Sequence, residues 1–158
     1  MSQDTIEARL KGIGLELPKV PRPMAKYVPA KLVGEIVYIS GQGPIRDGKA
    51  VYIGQVGAEV SLEEGYRAAQ ICCLNCLAAV KASTSSLDAI EEIVHVRGFV
   101  NSAPDFHDQP KVVDGASELL VKLFGDRGRH ARAALGTSNL PGNIPIEMEM
   151  IVRLRTTQ

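Results

Sequence analysis

An α+β domain, with two long helices packed on one face of a mixed β-sheet, is what this sequence predicts. Three observations carry it. Ser61-Leu-Glu-Glu64 is a capping box, and apolar residues recur behind it at Tyr66, Ala69, Cys73, Cys76, Leu77 and Val80, the 3.6-residue period of an amphipathic helix. A second helical period, Val112, Val113, Ala116, Leu119, Leu120 and Leu123, follows Pro110 and stops at Gly125. The last segment alternates: Ile144, Ile146, Met148, Met150, Val152 and Leu154 point one way, while Glu147, Glu149, Arg153 and Arg155 point the other, with Ile151 the exception.

The remaining elements follow in order. Asp4 to Lys11 reads as a short helix, with Asp4 as N-cap and Gly12 as its stop. Four prolines (Pro18, Pro21, Pro23 and Pro29) hold Leu17 to Pro29 extended. Lys31 to Ile39 reads as one strand running into a Ser40-Gly41-Gln42-Gly43-Pro44 loop. Asp47-Gly48 then marks a hairpin whose returning strand is Val51-Tyr52-Ile53. Ser83 to Ser86 closes the capping-box helix, and Leu87 to Glu92 forms a turn or short helix that feeds a strand at Ile93 to Asn101. Helices on one face leave the other face of the sheet open. Strands apolar on both faces predict that neighbouring subunits cover it.

Composition narrows the function. The chain has 158 residues, 45% of them hydrophobic, so one core forms without disulfides. Its 18 basic and 18 acidic side chains cancel, unlike the basic stripe of a nucleic-acid binder. With 4% aromatic residues and no Trp, it also lacks stacking platforms for single strands. The three cysteines, Cys72, Cys73 and Cys76, sit on the apolar helix with no second ligand pair, so they read as buried small hydrophobes, not as a zinc or redox site. His95, His107 and His130 have no ligand spacing, and no metal is expected. The N-terminus has neither a basic start nor an apolar run, and no stretch reaches membrane-spanning length. A soluble, cytoplasmic protein is expected, with partners that include neither nucleic acid nor membrane.

The chemistry-bearing stretch is Arg132-Ala-Ala-Leu-Gly-Thr-Ser-Asn-Leu140-Pro141-Gly-Asn-Ile-Pro-Ile-Glu147-Met-Glu149. A guanidinium grips a small carboxylate through a fork of two hydrogen bonds, and a glutamate handles a proton or a water. A turn at Leu140-Pro141 is expected to bring Arg132 and Glu147 together. On residues alone each keeps a plainer reading: Arg132 as a surface arginine, Glu147 as a solvent-facing strand residue like Glu149.

The chain resembles the Rid family of reactive-intermediate deaminases, the YjgF-like proteins formerly called L-PSP endoribonucleases. The resemblance rests on Tyr27, Ser40-Gly41-Gln42, the Ser61-Leu-Glu-Glu-Gly-Tyr-Arg-Ala-Ala helix, Val100-Asn101 and the Arg132…Leu140-Pro141…Ile146-Glu147-Met-Glu149 signature. It implies a bacillary chorismate-mutase-like fold, with 1–158 as a single domain of one of the longer members and 1–20 as an N-terminal extension to the shared core. It also implies a homotrimer with sites between subunits, and hydrolysis of short 2-imino acids to 2-oxo acids and ammonia without cofactor or metal. Position by position, Arg132 matches the carboxylate anchor and Glu147 the group that positions water or shuttles a proton, while Tyr27 and Ser40 match pocket residues. Two positions depart from the family pattern. Ala134 stands where many active members have Cys, leaving a backbone carbonyl to accept from the substrate nitrogen, and Asp114 stands where Asn is common, adding a negative charge beside an anionic substrate.

Three functions are therefore weighed. The first is a 2-iminoalkanoate deaminase with Glu147 as catalytic group and Arg132, Tyr27, Ser40, Ala134 (backbone) and Asp114 binding substrate. The second, favoured by Ala134 and Asp114, is a non-catalytic small-carboxylate-binding or stress-protective protein of the same fold. Ribonuclease activity is disfavoured by the neutral charge balance. His130, two residues from Arg132, is a further acid or base within reach, against a plain loop position.

Overall fold

The computed structural model describes residues 5–20 and 25–156. In chain order the elements are α1 (Ile6–Gly12), β1 (Ala30–Val33), β2 (Ile36–Gln42), β3 (Ile45–Arg46), β4 (Lys49–Ala50), α2 (Leu62–Thr84), β5 (Ile90–Asn101), α3 (Gln109–Phe124), β6 (Ala131–Thr137) and β7 (Ile146–Leu154). The main sheet has the order β1-β2-β7-β5-β6; only the β5–β6 pair is parallel, and β3–β4 is a separate two-stranded ribbon. Helices α2 and α3 cover one face, as the two apolar periods predict.

Strand β7 is central, and its alternation sets the layers. Ile146, Met148, Met150 and Val152 are buried on the helix side, while Glu147, Glu149 and Ile151 lie half-buried on the other. The capping box forms as read: Ser61 accepts from the Glu64 amide, and the Glu64 carboxylate takes the Ser61 amide. Gly115 lets α3 approach α2, since a Cβ there would stand 2.1 Å from the Tyr66 carbonyl oxygen.

The structure corrects several boundaries. Lys31 to Ile39 is two antiparallel strands, because Gly34 takes φ 61° and turns the chain between Val33 and Ile36. Ser40 to Gln42 continues β2 where a loop was expected. Asp47 (φ 49°) and Gly48 (φ 76°) make the expected hairpin turn, but the returning strand is Lys49–Ala50 and Val51–Ile53 lies beyond it. Strand β5 begins at Ile90, three residues early, after a 3-10 turn at Leu87–Ala89. Thr5, whose hydroxyl accepts from the Ala8 amide, caps α1; Asp4, Pro21 and Pro23 lie outside the described residues.

Helix α2 is buried on every side from Ile71 to Val80. That is wider than one amphipathic stripe, and residues 6–20 supply part of the extra cover. Ile6 and Leu10 of α1 are each 1% exposed, and Leu15, Leu17 and Val20 pack against the same core. The segment is fastened by Glu7 to Lys81 (2.8 Å), by Arg9 Nη1 to the Leu123 carbonyl (2.8 Å) and by the Ile6 amide to Asp88 (3.1 Å). Asn75, fully buried on α2, donates to the carbonyls of Gly43 and Ile45 and ties down the β3–β4 ribbon.

All three thiols are fully buried, and Cys72 and Cys76 face the Ile146 and Met148 carbonyls of β7, both at 3.7 Å. Burial pushes the Cys73 thiol up to about 12 and raises the other two as well. Reactive thiols need the opposite shift, so these cysteines are packing groups.

Leu10→Ala is expected to cost about 2–5 kcal/mol, the usual range for emptying a closed apolar site. Urea denaturation measures it, and a loss below about 0.5 kcal/mol, typical of surface changes, would show that α1 does not share the core.

Candidate functional site

Arg132 and Asp114 meet where β6 passes α3. Arg132 Nη1 donates to Asp114 Oδ1 at 2.7 Å and to Ser117 Oγ at 3.2 Å. Asp114 and Ser117 are three apart on α3 and so share a face. The pair is only partly screened by solvent, with side chains 25% and 40% exposed. Behind it, His130 Nδ1 lies 2.6 Å from the Gly128 carbonyl and Nε2 lies 3.0 Å from Ser117 Oγ. A carbonyl only accepts, so Nδ1 carries a proton, and in the neutral ring, which burial favours, Nε2 accepts from the Ser117 hydroxyl. One hydroxyl therefore links the imidazole to the guanidinium. Burial holds His130 below its ordinary value, the Arg132 charge adds to this, and the Gly128 carbonyl opposes it.

Glu147 belongs to a second group. Between the pairs Ile39–Met150 and Gln42–Met148, two β2 residues, Ser40 and Gly41, oppose the single β7 residue Glu149, a β-bulge. The Glu147 carboxylate lies over this bulge: a Cβ on Gly41 would stand 2.0 Å from Glu147 Oε1. Glycine at 41 is thus what lets the carboxylate rest there, and the short Ser-Gly-Gln motif acquires a steric reason. Burial raises Glu147 above its ordinary value, and Glu149 reinforces the shift. Glu149 is itself held by Arg97 at 2.7 Å, as expected of a structural cross-strand pair. Ser40 Oγ donates to the Val28 carbonyl at 2.7 Å and its amide to Pro29, fastening the approach to β1. Tyr27 stands beside that approach, 51% exposed.

The turn at Leu140-Pro141 does not bring Arg132 and Glu147 together within one chain. Strand β5 lies between β6 and β7. Val96 pairs with Arg132 and Gly98 with Ala134 on the helix side, whereas Phe99 pairs with Glu147 on the open side. The six residues therefore fall into two separate groups: Arg132, Asp114 and Ala134 at the α3–β6 edge, and Tyr27, Ser40 and Glu147 at the β2–β7 bulge.

Sequence reading missed Ser117, whose signal is its i,i+3 spacing from Asp114, and Gly41, whose signal is a glycine inside a strand. It also missed Asn101. This fully buried residue donates to Asn143 Oδ1 and the Ile144 carbonyl, and so pins the Leu140–Asn143 turn that leads into β7. Among the described residues no cluster of three or more His, Cys, Asp or Glu side chains is arranged to hold a metal ion, and no helix is long and apolar enough to cross a membrane.

The two shifted groups tie stability to pH with opposite signs. Raised Glu147 binds more protons folded than unfolded, so its contribution falls as pH rises from 4.5 through its folded value. Lowered His130 binds fewer protons folded, so its contribution is lost as pH falls from 6.5 through its folded value. Glu147→Gln is expected to be more stable than wild type above the Glu147 window and to lose that advantage below pH 4.5; denaturation at a series of pH values measures it. An advantage that does not change with pH would contradict the shift.

Comparison with known proteins gives the lineage. The chain is 36% identical to "Protein TCP17" of Trypanosoma cruzi, with 94% of each chain covered. It is 29% identical to a Dermatophagoides farinae protein named 2-iminobutanoate/2-iminopropanoate deaminase, covering 87% of this chain and 93% of that one. Among solved structures, the protein Atu1372 of Agrobacterium tumefaciens superposes with a TM-score of 0.89 at 41% identity, over 97% of this chain and 94% of the other. Residues 7–152 match the family described as "YjgF/chorismate mutase-like, putative endoribonuclease", and both the order of elements and the α+β layering are those of that fold; the chain belongs to this family.

Proposed function

We propose that the protein is a deaminase that hydrolyses short 2-imino acids to 2-oxo acids and ammonia, working as a homotrimer whose sites combine half-sites from two subunits. The observation that carries the reading is the state of Arg132. Its bonds to Asp114 and Ser117 both use Nη1, and among the described residues no acceptor lies on the Nε–Nη2 edge. That edge is a side-on fork for a carboxylate, a charge-assisted contact of about 1.5–3 kcal/mol net. The name of the Dermatophagoides farinae relative supports the substrate class.

The chemistry asks little of the protein. In a protonated imine, C2 is already electrophilic. Water adds its oxygen to C2, its two protons end on nitrogen, the C–N bond breaks, and ammonium leaves behind a 2-oxo acid. Arg132 fixes the carboxylate. Glu147, raised toward neutrality by burial, aligns the water and passes a proton, a role favoured when the carboxyl titrates nearer the working pH. The Ala134 backbone carbonyl accepts from the substrate nitrogen, and Tyr27 and Ser40 close the pocket.

Assembly follows from what one chain leaves open. Val33, Tyr38 and Leu135 are exposed on the helix-free face, and β6 is an edge strand. Neighbouring copies that cover this face also bring the Arg132 half-site of one chain to the Glu147 half-site of the next. In this reading 1–158 is one domain, residues 1–20 extend the shared core, and the buried thiols suit a reducing, cytoplasmic setting.

The Asp114–Arg132 pair also favours a second reading, carboxylate binding without turnover. Ammonia release from freshly generated 2-iminobutanoate separates the two. Under the proposal wild type accelerates it, Arg132→Lys lowers kcat/KM at least tenfold (about 1.4 kcal/mol), and Glu147→Gln slows turnover while ligand binding survives. Light scattering should give about three times 17.0 kDa. Turnover that neither substitution alters, or a monomer at micromolar concentration, would overturn it.

A further inference from the structure

The electrostatics of the Arg132 half-site point to a narrower ligand class than small carboxylates in general. We propose that Asp114 is a specificity-determining residue that makes this site select zwitterionic ligands, carrying a carboxylate and a cationic nitrogen on adjacent carbons, over monoanionic 2-oxo acids. The inference rests on the deaminase reading of Arg132 and adds a direction to it.

An arginine that serves as a general carboxylate anchor presents an unopposed positive charge. This one does not. Asp114 Oδ1 sits 2.7 Å from Nη1, so the half-site is close to electroneutral before any ligand arrives. Around it, neutral His130 accepts from Ser117, and Glu118, four residues on from Asp114 and so on the same face of α3, keeps its negative charge while accepting from the Tyr66 hydroxyl. A monoanion docking on the Nε–Nη2 edge meets the attraction of Arg132 and, a few ångströms behind it, the repulsion of Asp114. A zwitterion meets both charges favourably, carboxylate toward the guanidinium and nitrogen toward Asp114, whose Oδ2 accepts from no described residue.

The reaction itself changes this balance. Substrate iminium and carboxylate sum to zero. Once water has replaced nitrogen, the charges part as ammonium and a 2-oxo acid of charge −1. A site tuned to the zwitterion therefore holds substrate and releases the product anion, and differential affinity of this kind limits product inhibition.

Calorimetry with two stable probes at pH 7 tests it: 2-aminobutanoate for the zwitterion and 2-oxobutanoate for the monoanion. Wild type should bind 2-aminobutanoate at least tenfold tighter. Asp114→Asn keeps an acceptor for Arg132 Nη1 but removes the charge, and should shift that ratio at least tenfold toward 2-oxobutanoate. Arg132→Ala should weaken both ligands. Equal wild-type affinities, no binding of either probe, or a ratio unchanged in Asp114→Asn while Arg132→Ala still weakens both, overturns the role of Asp114 alone. Binding that Arg132→Ala leaves intact overturns the anchor, and the deaminase reading falls with it. Far-ultraviolet circular dichroism and the thermal midpoint of each variant establish that it is folded.

Discussion

Everything in this molecule is referred to β7. It pairs with β2 on one side and β5 on the other, and α2 packs across it. Its inward residues Ile146, Met148, Met150 and Val152 meet α2, whose Cys72 and Cys76 thiols sit on β7 carbonyls. Its outward residues carry Glu147 and Glu149. A one-residue slip would turn four buried apolar side chains toward solvent and drive two carboxylates into the core. Burial of that row, at about 1.5–3 kcal/mol per side chain, is what fixes the face on which Glu147 stands. The Glu147 carboxylate thus inherits its position from the hydrophobic alternation around it.

The same register separates the two charged groups. Arg132 on β6 shares a face with Val96, and Glu147 on β7 shares the opposite face with Phe99. No rotamer of either residue carries it through the sheet. A chain built this way holds the two charged groups apart, and its open face leaves Tyr38 and Leu135 exposed. Under the proposed function, catalysis and quaternary structure would be one requirement, since a neighbouring copy that covers the apolar face would also complete the site.

Much of this was legible in the sequence, and the reasons for what was not are physical. The capping box of α2, the period of α3 and the alternation of β7 are local signals reinforced by burial, and they read correctly. The turn at Gly34-Glu35 was hidden because only two residues separate the apolar runs Leu32-Val33 and Ile36 to Ile39, which read together as one strand. The bulge at Ser40-Gly41 was hidden because a bulge is a property of two strands, and only one of them is in view in the motif. Asn75 and Asn101 look like ordinary polar residues until the chain segments they fasten are brought to them. The expected meeting of Arg132 and Glu147 failed for the same kind of reason: sequence adjacency through Leu140-Pro141 suggested a hairpin, but β5, some forty residues earlier, takes the place between them. Residue type and spacing identified the candidates; pairing decided where they stand.

The inventory of reactive groups then limits the chemistry. The three thiols are fully buried and raised well away from thiolate formation, so none is poised as a nucleophile. His130 has both ring nitrogens engaged, by Gly128 and Ser117, and Arg132 is already half-satisfied by Asp114. Within the Arg132 and Glu147 groups, the described residues leave one carboxyl shifted upward, one open guanidinium edge and the backbone of an edge strand. Such a set can orient a ligand, place a water and move a proton, and orientation alone contributes several orders of magnitude. It cannot by itself generate a strong nucleophile from an unactivated bond. Under the proposed function the substrate brings its own electrophile: in a protonated imine next to a carboxylate, the carboxylate would take the arginine edge and the cationic nitrogen would supply the activation.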